Sequence, residues 1–428
     1  MKRSKKSTIF SVLFMGLGQI FNKEIFKGIM FAIIEIVTIL NFTYFIRSIT
    51  GLITLGVKGQ YFVDGVVKGD HSIFLMIEGL IAIAILTLVI LVYIFNILDA
   101  KRVGEEIEKG VKSLGTKEFI KYVWDKYFPH IMITPAFMFT IFFIVLPIVF
   151  TVAVAFTNYS SPNHLPPRNL VDWVGFQNFK DIINLKIWNN TFLHVGLWTI
   201  IFAVVTTTCN YFVGLMLALL TNSKGIKLKK VFRTIFILPY AIPAFISLLI
   251  MRLAFSGPGP VNNMLASIGL EKIPFFTDPF MAKIMVLIIC VWLGAPYFMA
   301  LMSGVLTNID MSLYEASEID GATKWQQFSK ITLPLVLFQT MPLLIMSFAY
   351  NFNNFAMIYL LTDGNPVNGS FKYAGDTDIL ISWIYKMTKD QNQYHMASVI
   401  TIILFIFVAG ISAFSFSKTK AFKEEDMM

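Results

Sequence analysis

Apolar and polar positions alternate along this chain in long blocks. Apolar runs of the roughly 20 residues a helix needs to cross a bilayer fall near 27–46, 73–98, 131–156, 193–220, 233–255, 282–306, 335–360 and 397–417. Short polar connections separate them. The pattern predicts an all-α, polytopic membrane protein with about eight transmembrane helices. Ahead of the first run, Phe10, Leu13, Phe14, Leu17 and Phe21 share one face at helical spacing. That spacing predicts an amphipathic helix lying at the membrane surface. The opening MKRSKKSTIFSVLFMG imitates a secretory signal, but no small-residue cleavage site follows. The segment is therefore expected to be retained.

Composition agrees with the block pattern. Hydrophobic residues make up 56% of the 428 and charged residues only 14%, against about 25% charged in a soluble domain. The net charge of +9 is not evidence for nucleic acid here, because Lys and Arg collect in the connections that stay in the cytoplasm. Lys2, Arg3, Lys5 and Lys6 precede the first run. Lys101, Arg102, Lys109, Lys112, Lys117, Lys121 and Lys126 lie between the second and third. Lys224, Lys227, Lys229 and Lys230 lie between the fourth and fifth, and Lys418, Lys420 and Lys423 follow the last. Eight crossings put all four groups on one side, with both termini cytoplasmic. The opposite connections are then 47–72, 157–192, 256–281 and 361–396.

Little in the chain suggests catalysis. The two cysteines, Cys209 and Cys290, sit within apolar runs, and the five histidines are scattered, so neither a disulfide framework nor a metal spacing emerges. There is no Walker A pattern and no G-x-G-x-x-G, so any nucleotide chemistry belongs to another chain. Glu35 and Glu78 fall in the first two runs; each is expected to pack at an interface and neither is assigned to a site.

One cytoplasmic stretch is unusually polar, EASEIDGATKWQQFSKITLP, from Glu315 to Pro334. Ser312 with Glu315 fits a capping box, and Thr323 with Gln326 fits a second. Gly321 between them can take the positive φ that ends a helix. The prediction is helix, break, second helix, with Pro334 opening the next run. Trp325, Phe328 and Ile331 would form the second helix's apolar stripe, and Glu315, Glu318 and Asp320 would be presented by the first. This pattern suits an amphipathic hairpin resting on the membrane as well as it suits a handle for a partner protein.

Inside the seventh run, Ser347, Asn351 and Asn354 fall at i, i+4 and i+7, which predicts one shared helix face. Polar groups in a span are costly unless paired or facing a cavity. They could act as glue between helices, or they could meet the hydroxyls of a sugar, because a carboxamide both donates and accepts.

The spacing Glu315-Ala316-Ser317, three residues, Gly321, nine residues, Ile331-x-Leu333-Pro334 resembles the EAA loop of ABC importer permeases, with Ser317 standing for the second alanine. The stretches ILPYAIPAFIS, VWLGAPYFM, LYEASEIDGA, FSKITLPL and SFAYNFNNFAMIYLLTDGNP extend the likeness from about Lys229 to the C-terminus. There the chain resembles the larger (MalF-type) permease subunit of maltose/maltodextrin importers.

The resemblance implies a type I ABC importer permease fold and a chain that is not itself an enzyme. Residues 1–128 would hold the amphipathic helix, two spans and a basic connection, and 129–428 a six-helix core with the EAA loop at 312–334. Glu315, Ala316, Ser317, Asp320, Gly321, Ile331, Leu333 and Pro334 would couple to the ATPase. Tyr240, Leu293, Gly294, Tyr297, Ser347, Asn351 and Asn354 would bind sugar. The implied partners are a second (MalG-type) permease subunit, two ATPase subunits holding ATP and Mg, an extracytoplasmic sugar-binding protein and the oligosaccharide. This chain would carry no cofactor of its own, and the setting would be a bacterial plasma membrane. Two features depart from the family: Cys290 stands where an asparagine is expected, and 157–192 is too short for the large insert of some members. Alternatives are a permease for another oligosaccharide, such as a galactan-derived one, or an ion-coupled secondary sugar transporter.

Overall fold

The computed structural model describes residues 2–418 except 64–65, 112–114, 166–168, 224 and 226. Lys112, Lys224, Lys420 and Lys423 lie outside the described residues, as does the side chain of Lys418. Among the described residues six helices are long and apolar enough to cross a membrane, or eight if each of two bent pairs counts as one crossing. The chain divides into two compact units, 1–175 and 176–428.

The first unit opens with α1 (Arg3–Leu13) and α2 (Leu17–Phe21). The single surface helix expected here is broken: Phe14 is extended, and Gly16 has φ +88°, a conformation open to glycine. The halves still share a logic. Small polar residues face inward, and Ser7 Oγ donates to the Ala100 carbonyl at 2.9 Å. Phe10, Leu13, Leu17 and Phe21 remain exposed. Glu35 accepts from the Met15 backbone N–H at the break, so it closes a backbone turn.

The pair α3 (Ile25–Leu40) and α4 (Phe42–Thr54) bends by 55° at Asn41. A short hairpin of two three-residue strands, β1 (Tyr61–Val63) and β2 (Val66–Lys68), follows within an otherwise helical fold. Helix α5 (Ser72–Glu108) has 37 residues. Its Asp99 accepts from Lys27 at 2.9 Å and from Arg102 at 3.1 Å, and Lys27 also reaches Glu24 at 2.8 Å. These groups are tolerated in an apolar setting because opposite charges meet. Helices α6 (Thr116–Thr140) and α7 (Leu146–Ala155) are joined through a π-helical turn at Ile141–Val145.

In the second unit, α8 (Gln177–Asn184) leads into α9 (Lys186–Asn222), the central helix. Its buried stripe runs Val195, Trp198, Phe202, Thr206, Asn210, Tyr211, Gly214 and Ala218, at the three- and four-residue spacing of one helix face. Helices α10 (Lys229–Ala241) and α11 (Ala244–Ala254) meet at 90°. Ile242, directly before Pro243, is extended, as steric conflict with the proline ring favours.

After α12 (Pro260–Ser267), α13 (Pro279–Thr307) crosses α9 closely. A Cβ on Gly214 would lie 2.4 Å from Phe298 Cβ, so the missing side chain is what lets the two backbones approach. One apolar core around Phe202, Val286, Ile289 and Ile358 and another around Tyr211, Leu215, Phe298 and Val336 line this crossing.

The remaining elements are α14 (Met311–Ile319), α15 (Lys324–Gln327), α16 (Leu333–Phe352), α17 (Phe355–Leu361), α18 (Leu380–Lys389) and α19 (Tyr394–Lys418). The loop before α18 is tied to α9. Trp198 Nε1 donates to the Thr377 carbonyl at 3.2 Å, and the Leu380 N–H donates to Thr199 Oγ1 at 2.9 Å.

Candidate functional site

Two structures in the second unit concern function: a cavity among α9, α10, α11, α13, α16 and α17, and the hairpin from Asp310 to Pro334. The cavity measures about 500 Å³, within the range of small-molecule sites. Tyr240, Leu293, Gly294, Tyr297, Ser347, Asn351 and Asn354, nominated from the sequence, all line it. Tyr240 and Tyr297 bring their rings to 6.0 Å at 40° on the cavity wall. They supply flat apolar faces with a hydroxyl at the tip.

The polar side differs from its expected form. Helix α16 stops at Phe352, so Ser347, Asn351 and Asn354 do not share one helical face. Asn354 caps α17 instead, its Oδ1 accepting from the Met357 N–H at 3.3 Å. An asparagine side chain at an N-cap satisfies an otherwise orphaned amide, and so favours a fresh helix start over continuation. The break leaves Asn354 on the cavity wall by a turn rather than by helical spacing. Asn351 Nδ2 donates to Thr207 Oγ1 of α9 at 2.9 Å, and both residues are buried. Asn351 thus joins two helices while its Oδ1 takes no part in that bond.

The sequence reading missed Asn210, Ala244, Met346 and Tyr350, which also line the cavity. Asn210 lies in the run TTTCN, whose polarity within an apolar block was its visible signal. Cys290 lines the same wall.

In the hairpin, the Thr323–Gln326 capping box forms as expected. The first cap does not: Asp310 caps α14, accepting from the Ser312 N–H at 2.9 Å. That amide holds the Asp310 carboxyl below its ordinary value, and a carboxylate there also opposes the positive end of the helix dipole. Gly321 has φ +74°. The N–H groups of Ala322 and Gly321 return to the carbonyls of Ser317 at 2.9 Å and Glu318 at 3.1 Å, a Schellman ending that satisfies the last carbonyls of α14.

Pro334 does not open a separate helix. From Lys324 the chain runs to Phe352 as one 29-residue helix, with a π-helical turn at Phe328–Thr332 absorbing the strain before the proline. Glu315, Ala316 and Asp320 are exposed, as are the large apolar Ile319 and Trp325. Ser317, Ile331 and Leu333 are half-buried between the limbs.

Comparison with known proteins places this architecture. Residues 210–419 match the family model described as binding-protein-dependent transport system inner membrane component. The chain is 39% identical to the maltodextrin transport system permease protein MdxF of Bacillus subtilis, covering 100% of this chain and 98% of that protein. It is 38% identical to the galactooligosaccharides transport system permease protein GanP of the same organism, over 96% of each. Among solved structures, a bacterial ABC transporter involved in the import of alginate superposes with a TM-score of 0.58 at 21% identity, covering 71% of this chain and 98% of that one. That likeness carries the fold alone. With these relatives spanning its whole length, the chain belongs to the binding-protein-dependent transport system inner membrane components, the permease subunits of ABC importers.

Proposed function

We propose that this permease subunit forms the translocation pathway for maltose/maltodextrin-type oligosaccharides, delivered by an extracytoplasmic binding protein and moved at the expense of ATP. The observation that carries the reading is the convergence of Tyr240, Tyr297, Ser347, Asn351 and Asn354 on one cavity. Two rings and several carboxamide and hydroxyl groups meet there, as a polyhydroxylated ring with apolar faces requires. MdxF, the 39% identical relative, is a maltodextrin permease by name.

In this reading both termini and the 310–334 hairpin face the cytoplasm, as the basic connections favour. Glu315, Ala316, Ser317, Asp320 and Gly321 then meet one of two ATPase subunits, which hold the ATP and Mg, while Ile331, Leu333 and Pro334 carry the motion on. A second permease subunit completes the pathway. Because Lys324–Phe352 is one helix, displacement of the hairpin moves Ser347 and Asn351 with it. Nucleotide binding alternates access only if the two states differ in their contacts at both ends of this helix.

The test is uptake of labelled maltotriose by cells with and without this gene, with a galactan-derived trisaccharide as competitor. Uptake that disappears in the deletion and in Asn351→Ala supports the reading. Normal uptake in the deletion rejects the substrate, and galacto-oligosaccharide uptake in its place transfers the assignment to the GanP-like alternative. Uptake that persists without the ATPase subunit rejects ATP-driven import.

A further inference from the structure

Asn210 is 4% exposed on α9 and lines the cavity. Its Oδ1 is buried and accepts no hydrogen bond among the described residues. Buried carboxamides are nearly always paired, so an orphan of this kind asks for an explanation. The other two asparagines on the cavity are engaged, Asn351 through Thr207 and Asn354 through the Met357 amide.

Gly294 explains how Asn210 is held. A Cβ there would lie 2.3 Å from Asn210 Nδ2 and 2.7 Å from Cγ, so the carboxamide lies flat against the bare α13 backbone. One turn back along α9, Thr206 Oγ1 is likewise buried and unpaired among the described residues, but of the two it is Asn210 that lines the cavity. One turn back along α13 from Gly294, Cys290 offers the cavity a thiol, and the carboxamide on this wall comes from α9.

We infer that Asn210 is a specificity-determining residue of the pathway, its carboxamide completed by a hydroxyl of the transported sugar. This rests on the cavity being the sugar site proposed above. A site with an unpaired polar group discriminates against a ligand lacking the matching hydroxyl, since the group then stays unpaired. Asn210 therefore reads one hydroxyl of one ring, while the tyrosine faces tolerate any hexose.

The experiment uses the complete transporter with its partner subunits and binding protein, reconstituted in liposomes. Uptake of maltotriose is compared with that of a series of monodeoxy-maltotrioses for the wild type, Asn210→Leu and Asn210→Thr. The wild type is expected to take up one deoxy analogue about tenfold less well than maltotriose, the worth of one hydrogen bond. Asn210→Leu is expected to lose that discrimination alone, and Asn210→Thr, which keeps a hydroxyl, to retain part of it.

An unchanged deoxy profile in Asn210→Leu overturns the inference, because a packing role would lower uptake of every analogue alike. If Asn210→Leu does not assemble, the profile of Asn210→Thr decides: one identical to the wild type overturns the inference, and discrimination reduced at a single hydroxyl supports it. A wild-type complex that transports neither maltotriose nor a galactan-derived trisaccharide rejects the underlying reading of the cavity instead.

Discussion

The Nε2 of Gln327 donates to Oγ of Ser317 at 2.8 Å, and the same hydroxyl donates to the Tyr314 carbonyl at 2.8 Å. This bond joins the two limbs of the hairpin, α14 and the helix that continues into the membrane. Gln327 Nε2 also reaches the Tyr314 carbonyl at 3.3 Å, and Tyr314 Oη meets Thr332 Oγ1 at 2.8 Å. The residue at which the EAA-like pattern departs from alanine is thus the one that ties the limbs together.

Ser317→Ala removes one of several ties. It should loosen the hairpin by about 1 kcal/mol, the net worth of one hydrogen bond, and leave transport within about twofold. Gln327→Leu removes both bonds made by Nε2 and should cost more. Hydrogen exchange of residues 311–327 measures each loss, and the double variant should fall short of the sum because the two share a bond. Strict additivity would show that the limbs are held by something else.

Two glycines should respond to alanine for opposite reasons. A Cβ on Gly321 would meet nothing within 4 Å, but its φ is +74°. Gly321→Ala therefore costs about 1–2 kcal/mol of left-handed strain and weakens the end of α14, while Gly321→Asn costs less. Gly294 has no positive φ, and its Cβ would strike Asn210. Gly294→Ala should therefore lower maltotriose uptake at least tenfold with normal amounts in the membrane. Equal uptake by Gly294→Ala and wild type would mean that the cavity wall gives way freely.

The eight apolar blocks were legible because bilayer thickness sets their length, and the glycine at the hairpin was legible because few residues accept positive φ. The break at Asn353 was hidden. SFAYNFNNFAMIYLL has helical periodicity throughout, and only the capping bond of Asn354 reveals that the chain restarts there. Asp310 was overlooked because Ser312 fits a cap equally well by spacing, and the choice depends on where α13 releases the chain. Asn210 could not be ranked above Thr206 or Thr207 from sequence. What distinguishes it is its place on the cavity wall and its seat on Gly294, both products of the α9–α13 crossing.

Asp70 offers a test by pH. The backbone N–H groups of Val57 and Lys58 donate to its Oδ2 at 2.8 and 2.9 Å, holding the carboxyl below its ordinary value of 3.8. A depressed carboxylate contributes its stabilisation above the unfolded value and loses it as pH falls through the folded one. Segment 55–60 should therefore keep its exchange protection across neutral pH and lose it only as the pH falls below the ordinary carboxylate value of 3.8. Asp70→Asn should begin with weaker protection at pH 7 and show no such step. An acid transition of the same size in Asp70→Asn would assign it to another group.

The bond from Asn351 to Thr207 separates helix glue from sugar recognition. Thr207→Val keeps the volume but strands the buried Nδ2 donor of Asn351, a loss of about 1–3 kcal/mol. Asn351→Ala removes the donor together with the rest of a carboxamide that lines the cavity. If the pair only joins α9 to α16, both variants lose thermal stability in similar measure, and uptake tracks the amount of folded protein. If Asn351 also meets substrate, Asn351→Ala loses uptake at normal abundance, whereas Thr207→Val raises the half-saturating maltotriose concentration only severalfold. The two quantities to compare are melting temperature in detergent and uptake per molecule in liposomes. The second pattern is expected, because Asn351 lines the cavity while its Nδ2 is fixed by Thr207. A group anchored at one end is already oriented when the sugar arrives, so less ordering cost falls on binding.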